Sequence, residues 1–331
     1  VPWRAFFGEE ILNRKLRLNN LGESRYIGAS PAVRQDIIPI PRAVLPAMHT
    51  HSVAGGRAGG GRGWAVCEAN LRMRMCVKIN SKDNQQIKKL KKLQLKKYRD
   101  EYGRFCVENF KIINDAVAAD IGFEEVYFTE SFVNKNQAAV DKLLANAGTA
   151  QTFIIADDLN KSFSELTTPS GVCAVYAKQE GALNFKKPAV YLNGINDPGN
   201  VGAILRTALA FDFENVIVDE TCVDVYNAKT INAAKDAIFK LNIVNDCGGE
   251  LLKRMKEEKI KLIGAATRGG GSLKRPKKNF CVVFGSESHG FTPDVEKMVD
   301  EFVTIKTSGQ VESLNVAAAA AIILQCLGEI K

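Results

Sequence analysis

A chain of 331 residues, 46% hydrophobic and 25% charged, has the length for two domains and the composition of a soluble globular protein. Its longest nearly pure apolar run, Val316 to Leu324, is about half of a membrane span, and its eight cysteines contain no C-x-x-C pair. No membrane segment, zinc site or disulfide framework is therefore expected, and the cysteines are read as reduced cytosolic thiols, mostly in the core. The net charge of +8 is uneven: residues 1–74 hold 11 Lys+Arg against 5 Asp+Glu, the remainder 34 against 32. The folded part is thus nearly neutral, and bulk charge argues only weakly for a nucleic-acid partner.

Residues 1–74 differ in kind from the rest. Their cations are almost all Arg, they contain the run Gly55-Gly56-Arg57-Ala58-Gly59-Gly60-Gly61-Arg62-Gly63, and no helical or strand period is sustained. Disorder is expected. The sequence starts at Val1, and Met75 stands directly before ordinary globular texture. The segment is accordingly read as a dispensable extension or a gene-start artefact. An Arg-rich targeting segment and an Arg/Gly RNA-binding arm are the other readings. His49 and His51 have no nearby partners, and no metal is expected.

Residues 75–180 read as a small α/β domain. A basic helix is expected over Ile87 to Tyr98, its stripe made by Ile87, Leu90, Gln94 and Tyr98. Lys88, Lys89, Lys92 and Lys96 fall largely outside that stripe, either as a solvated face or as contacts to an RNA backbone. Strands are expected at Arg104–Val107, Glu125–Phe128, Thr152–Ile155 and Val172–Tyr176, with a helix over Phe110–Ala118. Gly181 to Pro188 reads as a linker. Residues 189–331 then alternate helices with short apolar strands at Ala189–Leu192, Val216–Asp219, Lys261–Ala265, Phe280–Phe284 and Phe302–Lys306. Such runs argue a buried parallel sheet.

Three loops follow strands of this second domain, where open α/β sheets bind ligands. The first runs from Asn193 to Gly202 and contains Asp197-Pro198-Gly199-Asn200, turn chemistry in which Asn200 is expected to cap the next helix. In that helix Ile204, Ala208 and Phe211 share a face. Arg206 points away from it, framed by Ala203 and Ala210, as suits a phosphate or partner contact. The second loop, Gly285-Ser286-Glu287-Ser288-His289-Gly290, precedes Thr292-Pro293, a helix start. Glu287 is either a simple loop carboxylate or part of the chemistry. His289 is either a general base or, as is commoner, a surface histidine. The third loop, Ser308 to Asn315, leads into a thin helix with five consecutive alanines, at whose amino end Ser313 and Asn315 favour a polar ligand. Neither a P-loop nor a G-x-G-x-x-G fingerprint is present.

In order and spacing these segments resemble the motifs of the TrmH/SpoU family of SPOUT-class RNA ribose methyltransferases: Asn193–Ala210 the first, Val282–Phe291 the second, Val303–Leu324 the third. Residues 77–178 resemble that family's substrate-binding domain, so the likeness covers about three-quarters of the chain. It implies a C-terminal parallel-sheet SPOUT domain tied in a deep trefoil knot and preceded by a small α/β RNA-binding domain. It implies a homodimer with the active site at the interface, no metal, and S-adenosyl-L-methionine held largely through backbone at Ala265, Ala266, Thr267, Gly285, Ile305, Ser313, Leu314 and Asn315. Asn200, Arg206, Glu287, Ser313 and Asn315 occupy its catalytic and structural motif positions.

Two departures stand out. The family often shows Ser-x-Gly-Ala where this chain has Ala234-Lys235-Asp236-Ala237, and Gly-Arg or Gly-Lys where it has Ser288-His289. The resemblance implies 2′-O-methylation of a ribose in structured RNA, ribosomal rather than transfer RNA because of the extra domain, in the cytoplasm or, in a eukaryote, the mitochondrion. A non-catalytic RNA-binding or ribosome-assembly protein and a base-directed methyltransferase are the alternatives.

Overall fold

The computed structural model describes residues 76–277 and 279–328, all within one compact unit. The expectations for residues 1–74, His49 and His51 included, lie outside the described residues.

The first sheet contains β1 (Val77–Ile79), β2 (Arg104–Val107), β3 (Glu125–Thr129), β4 (Gln151–Ile155) and β5 (Val172–Ala177) in the order β1-β4-β3-β5-β2. β1, β4 and β3 run parallel, and β5 is antiparallel to both of its neighbours. The helices between them are α1 (Gln85–Leu93), α2 (Lys96–Tyr102), α3 (Phe110–Ala118), α4 (Glu130–Ala145) and α5 (Asp157–Phe163). The second sheet contains β6 (Ala189–Asn193), β7 (Asn215–Asp219), β8 (Asn242–Asp246), β9 (Lys261–Ala265), β10 (Phe280–Gly285) and β11 (Glu301–Val303). Their order is β11-β9-β10-β6-β7-β8, and every neighbouring pair is parallel. Its helices are α6 (Pro198–Ala210), α7 (Ala228–Ala234), α8 (Ala237–Lys240), α9 (Glu250–Glu257), α10 (Pro293–Met298) and α11 (Val316–Leu327).

The near-continuous apolar strands have a direct cause. In β6 and β10, Val190, Leu192, Val282 and Phe284 join one core while Ala189, Tyr191, Cys281 and Val283 join another. Alternate side chains therefore enter opposite faces, and both faces are dry. The first of these cores also takes Phe105, Val107, Phe128 and Tyr176 from the first sheet, so it runs unbroken beneath both sheets. At the junction the Phe105 and Tyr226 rings lie 4.5 Å apart and those of Tyr176 and Phe239 4.7 Å apart. Cys106, Cys173, Cys222 and Cys281 are buried; Cys247 and Cys326 are exposed.

Three sequence expectations are corrected. The single helix over Ile87–Tyr98 is two, because Leu95 is extended (φ −98°, ψ 130°) and Arg99 turns back on α1. Arg99 Nη1 donates to the carbonyls of Leu93 at 2.9 Å and Gln94 at 2.7 Å, capping α1 with a guanidinium. Its Nε binds Asp224 of the second domain at 2.7 Å, and Arg99 is only 4% exposed. Asn200 is not the cap of α6: Asp197 is, accepting from the Asn200 N–H at 2.7 Å with Pro198 at the first helical position. The last strand ends at Val303 rather than Lys306, since Thr304 leaves the ladder to bond Gly271 and Gly270. β1 and β8 escaped the sequence reading, being short and, in β8, interrupted by Asn245 and Asp246.

The linker residues are stitched down. Asn184 and Asn215 exchange two hydrogen bonds, and Asn242 donates to the Ala182 carbonyl at 2.6 Å.

Candidate active site

The three loops converge because each is anchored separately. Asp219, at the end of β7, accepts from Gly194, Thr221 and Cys222 N–H groups and from the Asn193 side chain, which fixes the first loop. Asn193 Oδ1 in turn accepts from Thr292 N–H at 2.7 Å, tying that loop to the start of α10. In the second loop Ser286 and Gly290 exchange backbone hydrogen bonds of 3.0 and 2.9 Å, leaving Glu287, Ser288 and His289 as the tip. Gly285 permits this closure: a Cβ there would lie 2.5 Å from the Gly290 carbonyl carbon.

Side chains from the three loops form one chain of hydrogen bonds. Asn315 caps α11, its Oδ1 accepting from Ala317 and Ala318 N–H at 2.9 and 3.3 Å. Its Nδ2 donates to Asn200 Oδ1 at 3.0 Å, and Asn200 Nδ2 donates to Glu287 Oε1. Freed of capping duty by Asp197, Asn200 projects from the first turn of α6 between the other two loops.

Beside this chain lies a cavity of about 630 Å³ at the carboxyl ends of β9, β10 and β11. Ala265, Ala266, Thr267, Gly285, Ile305, Ser313 and Leu314 line it, as do Glu287, Ser288 and His289. Asn315 stands next to the lining rather than in it. Phe284, Phe291, Phe302, Glu296 and Ile323 also line the cavity, and the sequence reading missed them. Only Phe284 and Phe291, flanking the second loop, carried a local signal. The volume lies in the range of small-molecule sites. A mixed wall of main chain, small residues and phenyl rings suits a flat heterocycle with a polar tail. A second hollow of about 370 Å³, lined by 179–182, Tyr226 and 238–243, contains none of the motif residues.

Arg206 is exposed on α6, as its helical position requires. It lies six residues beyond Asn200, about 9 Å along the helix, and is not among the cavity residues. Its guanidinium adds to the pull of Lys240, hydrogen-bonded at 2.6 Å, that holds the Asp236 carboxyl below its ordinary range. His289 Nδ1 is engaged by Ser288 Oγ at 2.7 Å, and the residue is exposed. The lysines of α1 are largely satisfied within the chain: Lys88 pairs with Asp83 at 3.4 Å, and Lys89 with Glu125 at 2.8 Å. Lys92 bonds Tyr102 Oη at 3.3 Å and lies over the Tyr98 ring. Lys96 is exposed at the start of α2.

A parallel α/β domain with a polar side-chain chain beside a strand-end cavity is an arrangement for binding a small ligand. Its solved likenesses include a putative RNA methyltransferase of the TrmH family from Porphyromonas gingivalis, 28% identical, with a TM-score of 0.62 over 74% of this chain and 97% of that one. The SpoU rRNA Methylase family matches residues 187–325, and the MRM3-like substrate binding domain matches residues 84–174. The chain thus carries a SpoU rRNA Methylase family domain preceded by an MRM3-like substrate binding domain, and its similar proteins are methyltransferases of the TrmH/SpoU family. Among its relatives is the 23S rRNA (guanosine(2553)-2'-O)-methyltransferase RlmP of Bacillus subtilis, 27% identical over 74% of this chain and 97% of the relative. The mitochondrial rRNA methyltransferase 3 of Homo sapiens is 27% identical over 45% of this chain and 36% of its own length.

Proposed function

We propose that this protein transfers a methyl group from S-adenosyl-L-methionine to a ribose 2′-hydroxyl of ribosomal RNA. The observation that carries the reading is the Asn315–Asn200–Glu287 chain beside the strand-end cavity. The named specificity of its relatives for ribosomal RNA 2′-oxygens supports the substrate class.

When bound, S-adenosyl-L-methionine would supply an electrophilic methyl on a sulfonium for the ribose 2′-oxygen, with the neutral thioether as leaving group, chemistry that needs no metal. The protein's work is then positioning and proton handling. Ala265–Thr267, Gly285, Ile305 and Ser313–Asn315 would hold the cofactor, chiefly through main chain. The Asn315–Asn200–Glu287 chain fixes the three loops in one arrangement. Arg206, a planar bidentate cation that makes no ion pair among the described residues, clamps the phosphate beside the target ribose and orients the hydroxyl. The hydroxyl proton passes to water as the methyl is transferred.

The further architecture we propose follows the family. Residues 75–180 bind RNA, 181–188 link, and 189–331 form the catalytic domain with its C-terminal segment threaded in a trefoil knot. The enzyme acts as a homodimer with its active site at the interface, and Ala203 and Ala210 leave Arg206 open to RNA at that boundary. The cytoplasm is its site of action; among the described residues no helix is long and apolar enough to cross a membrane.

The test is incubation with methyl-labelled cofactor and unmodified ribosomal RNA, followed by nuclease mapping. Label in alkali-resistant 2′-O-methyl dinucleotides is expected. Label on a base, or RNA binding without incorporation, overturns the reading.

A further inference from the structure

The α1 lysines, three of them already partnered, leave open which cations meet the substrate. Lys111, Lys229 and Lys235 make no ion pair among the described residues, and Lys111 and Lys229 are exposed. Their positions are tied together. Lys111 lies in the first turn of α3, whose cap Asn109 donates across the domain junction to Asn232 of α7 at 3.2 Å. Lys229 precedes Asn232 by three residues and shares its face of α7. Lys235 closes that helix. α7 in turn crosses α6 at Gly202, where a Cβ would lie 2.5 Å from both the Thr230 carbonyl oxygen and Ala233 Cβ. Arg206 stands one turn beyond Gly202 and about 40° round from it.

We propose that Lys111, Lys229 and Lys235 form a ridge that carries the phosphate backbone of the substrate RNA from the first sheet to Arg206. The ridge rests on the reading that RNA is the substrate. Charge complementarity and the tie between the two helices argue for it: Lys111 stands in the first turn of α3, which Asn109 fastens to α7, Lys229 and Lys235 stand on α7 and its C-terminal cap, and α7 packs on α6, whose Arg206 makes no ion pair among the described residues. Of the acids nearby, Asp236 is paired with Lys240 at 2.6 Å, and Glu165 makes no ion pair with Lys229 among the described residues, feeling only its field. Lys235 also holds φ 58° and ψ −135°, a conformation that glycine adopts freely and lysine only at a cost. A charge kept there against local strain fits a binding role.

The experiment measures binding of the full chain to fluorescein-labelled, unmodified ribosomal RNA hairpins between 50 and 200 mM salt. Each of Lys111→Gln, Lys229→Gln and Lys235→Gln is expected to lower the log–log salt slope by about one. The triple variant is expected to weaken binding about tenfold or more at the low-salt end. Lys235→Gly separates binding from folding: relief of strain raises Tm by about 2–4 °C while affinity falls as in Lys235→Gln. Ridge variants that bind within twofold of wild type with an unchanged slope overturn the ridge alone. So does a slope that falls only when Lys88, Lys89 and Lys92 are replaced. Wild-type protein that binds no RNA overturns the ridge and the functional reading together.

Discussion

Asn315 divides its amide between two tasks: Oδ1 caps its own helix, and Nδ2 reaches Asn200 at 3.0 Å from a loop 115 residues earlier. The two atoms can be separated by substitution. Asn315→Asp keeps an acceptor for the Ala317 and Ala318 N–H groups but removes the donor to Asn200. Its Tm is expected within about 2 °C of wild type, since aspartate caps as well as asparagine, while methyl transfer falls about tenfold or more. Asn315→Ala loses the cap as well, at about 1 kcal/mol. Thermal melts paired with single-turnover methylation check both; equal activity in the aspartate variant would remove the Asn200 contact from the mechanism.

Arg206 lies outside the cavity lining, so cofactor and RNA roles separate there too. Arg206→Ala is expected to leave cofactor affinity within about twofold by calorimetry and to reduce methyl transfer by roughly 10²-fold or more, the scale for a lost charge-stabilising donor. Arg206→Lys keeps charge without the bidentate fork and restores only part of the rate. A cofactor Kd that collapses with Arg206→Ala would place the side chain in the wrong role.

The Arg99–Asp224 pair, with side chains 5% and 9% exposed, spans the domain junction. Removing either partner alone strands a buried charge, and Arg99→Leu or Asp224→Asn is expected to cost about 3–5 kcal/mol. The double variant is expected to lose much less than the sum, because no charge is then left unpaired. Urea unfolding measures all three. Additive losses would mean that the two residues do not interact.

Glu108, 4% exposed and directly after β2, has Oε2 without a hydrogen-bond partner among the described residues. Burial raises its pKa above the ordinary 4.5, opposed by hydrogen bonds from Ser164 and Glu165. The native state therefore holds this proton more tightly than the unfolded chain, and the stability so gained is present below about pH 4.5 and lost as pH rises through the folded-state value. Glu108→Gln removes that loss. It is expected to be more stable than wild type at pH 7.5, with the difference shrinking toward pH 4.5. A Tm difference independent of pH would show that the carboxyl does not titrate in that window.

Sequence alone determined the parts that depend on local periodicity and composition. Strands such as Val282–Phe284 were legible because burial on both faces demands unbroken apolar runs. The outward placement of Arg206 followed from 100° per residue, and the loops at Asn200, Glu287 and Asn315 were marked by turn and cap chemistry. Tertiary structure decided which of several local partners a polar group takes. Asp197 rather than Asn200 caps α6, so Asn200 is free to bridge Glu287 and Asn315. Arg99, drawn to Asp224, breaks a helix whose periodicity ran on to Tyr98. Lys89 is occupied by Glu125, a residue the periodicity could not bring near, whereas Lys111, Lys229 and Lys235 make no ion pair among the described residues. Local preferences differ by about 1 kcal/mol and recur along any chain; a buried charge or an orphaned polar atom costs several times more. The long-range pairings that avoid that cost settle the choice only once the chain is folded.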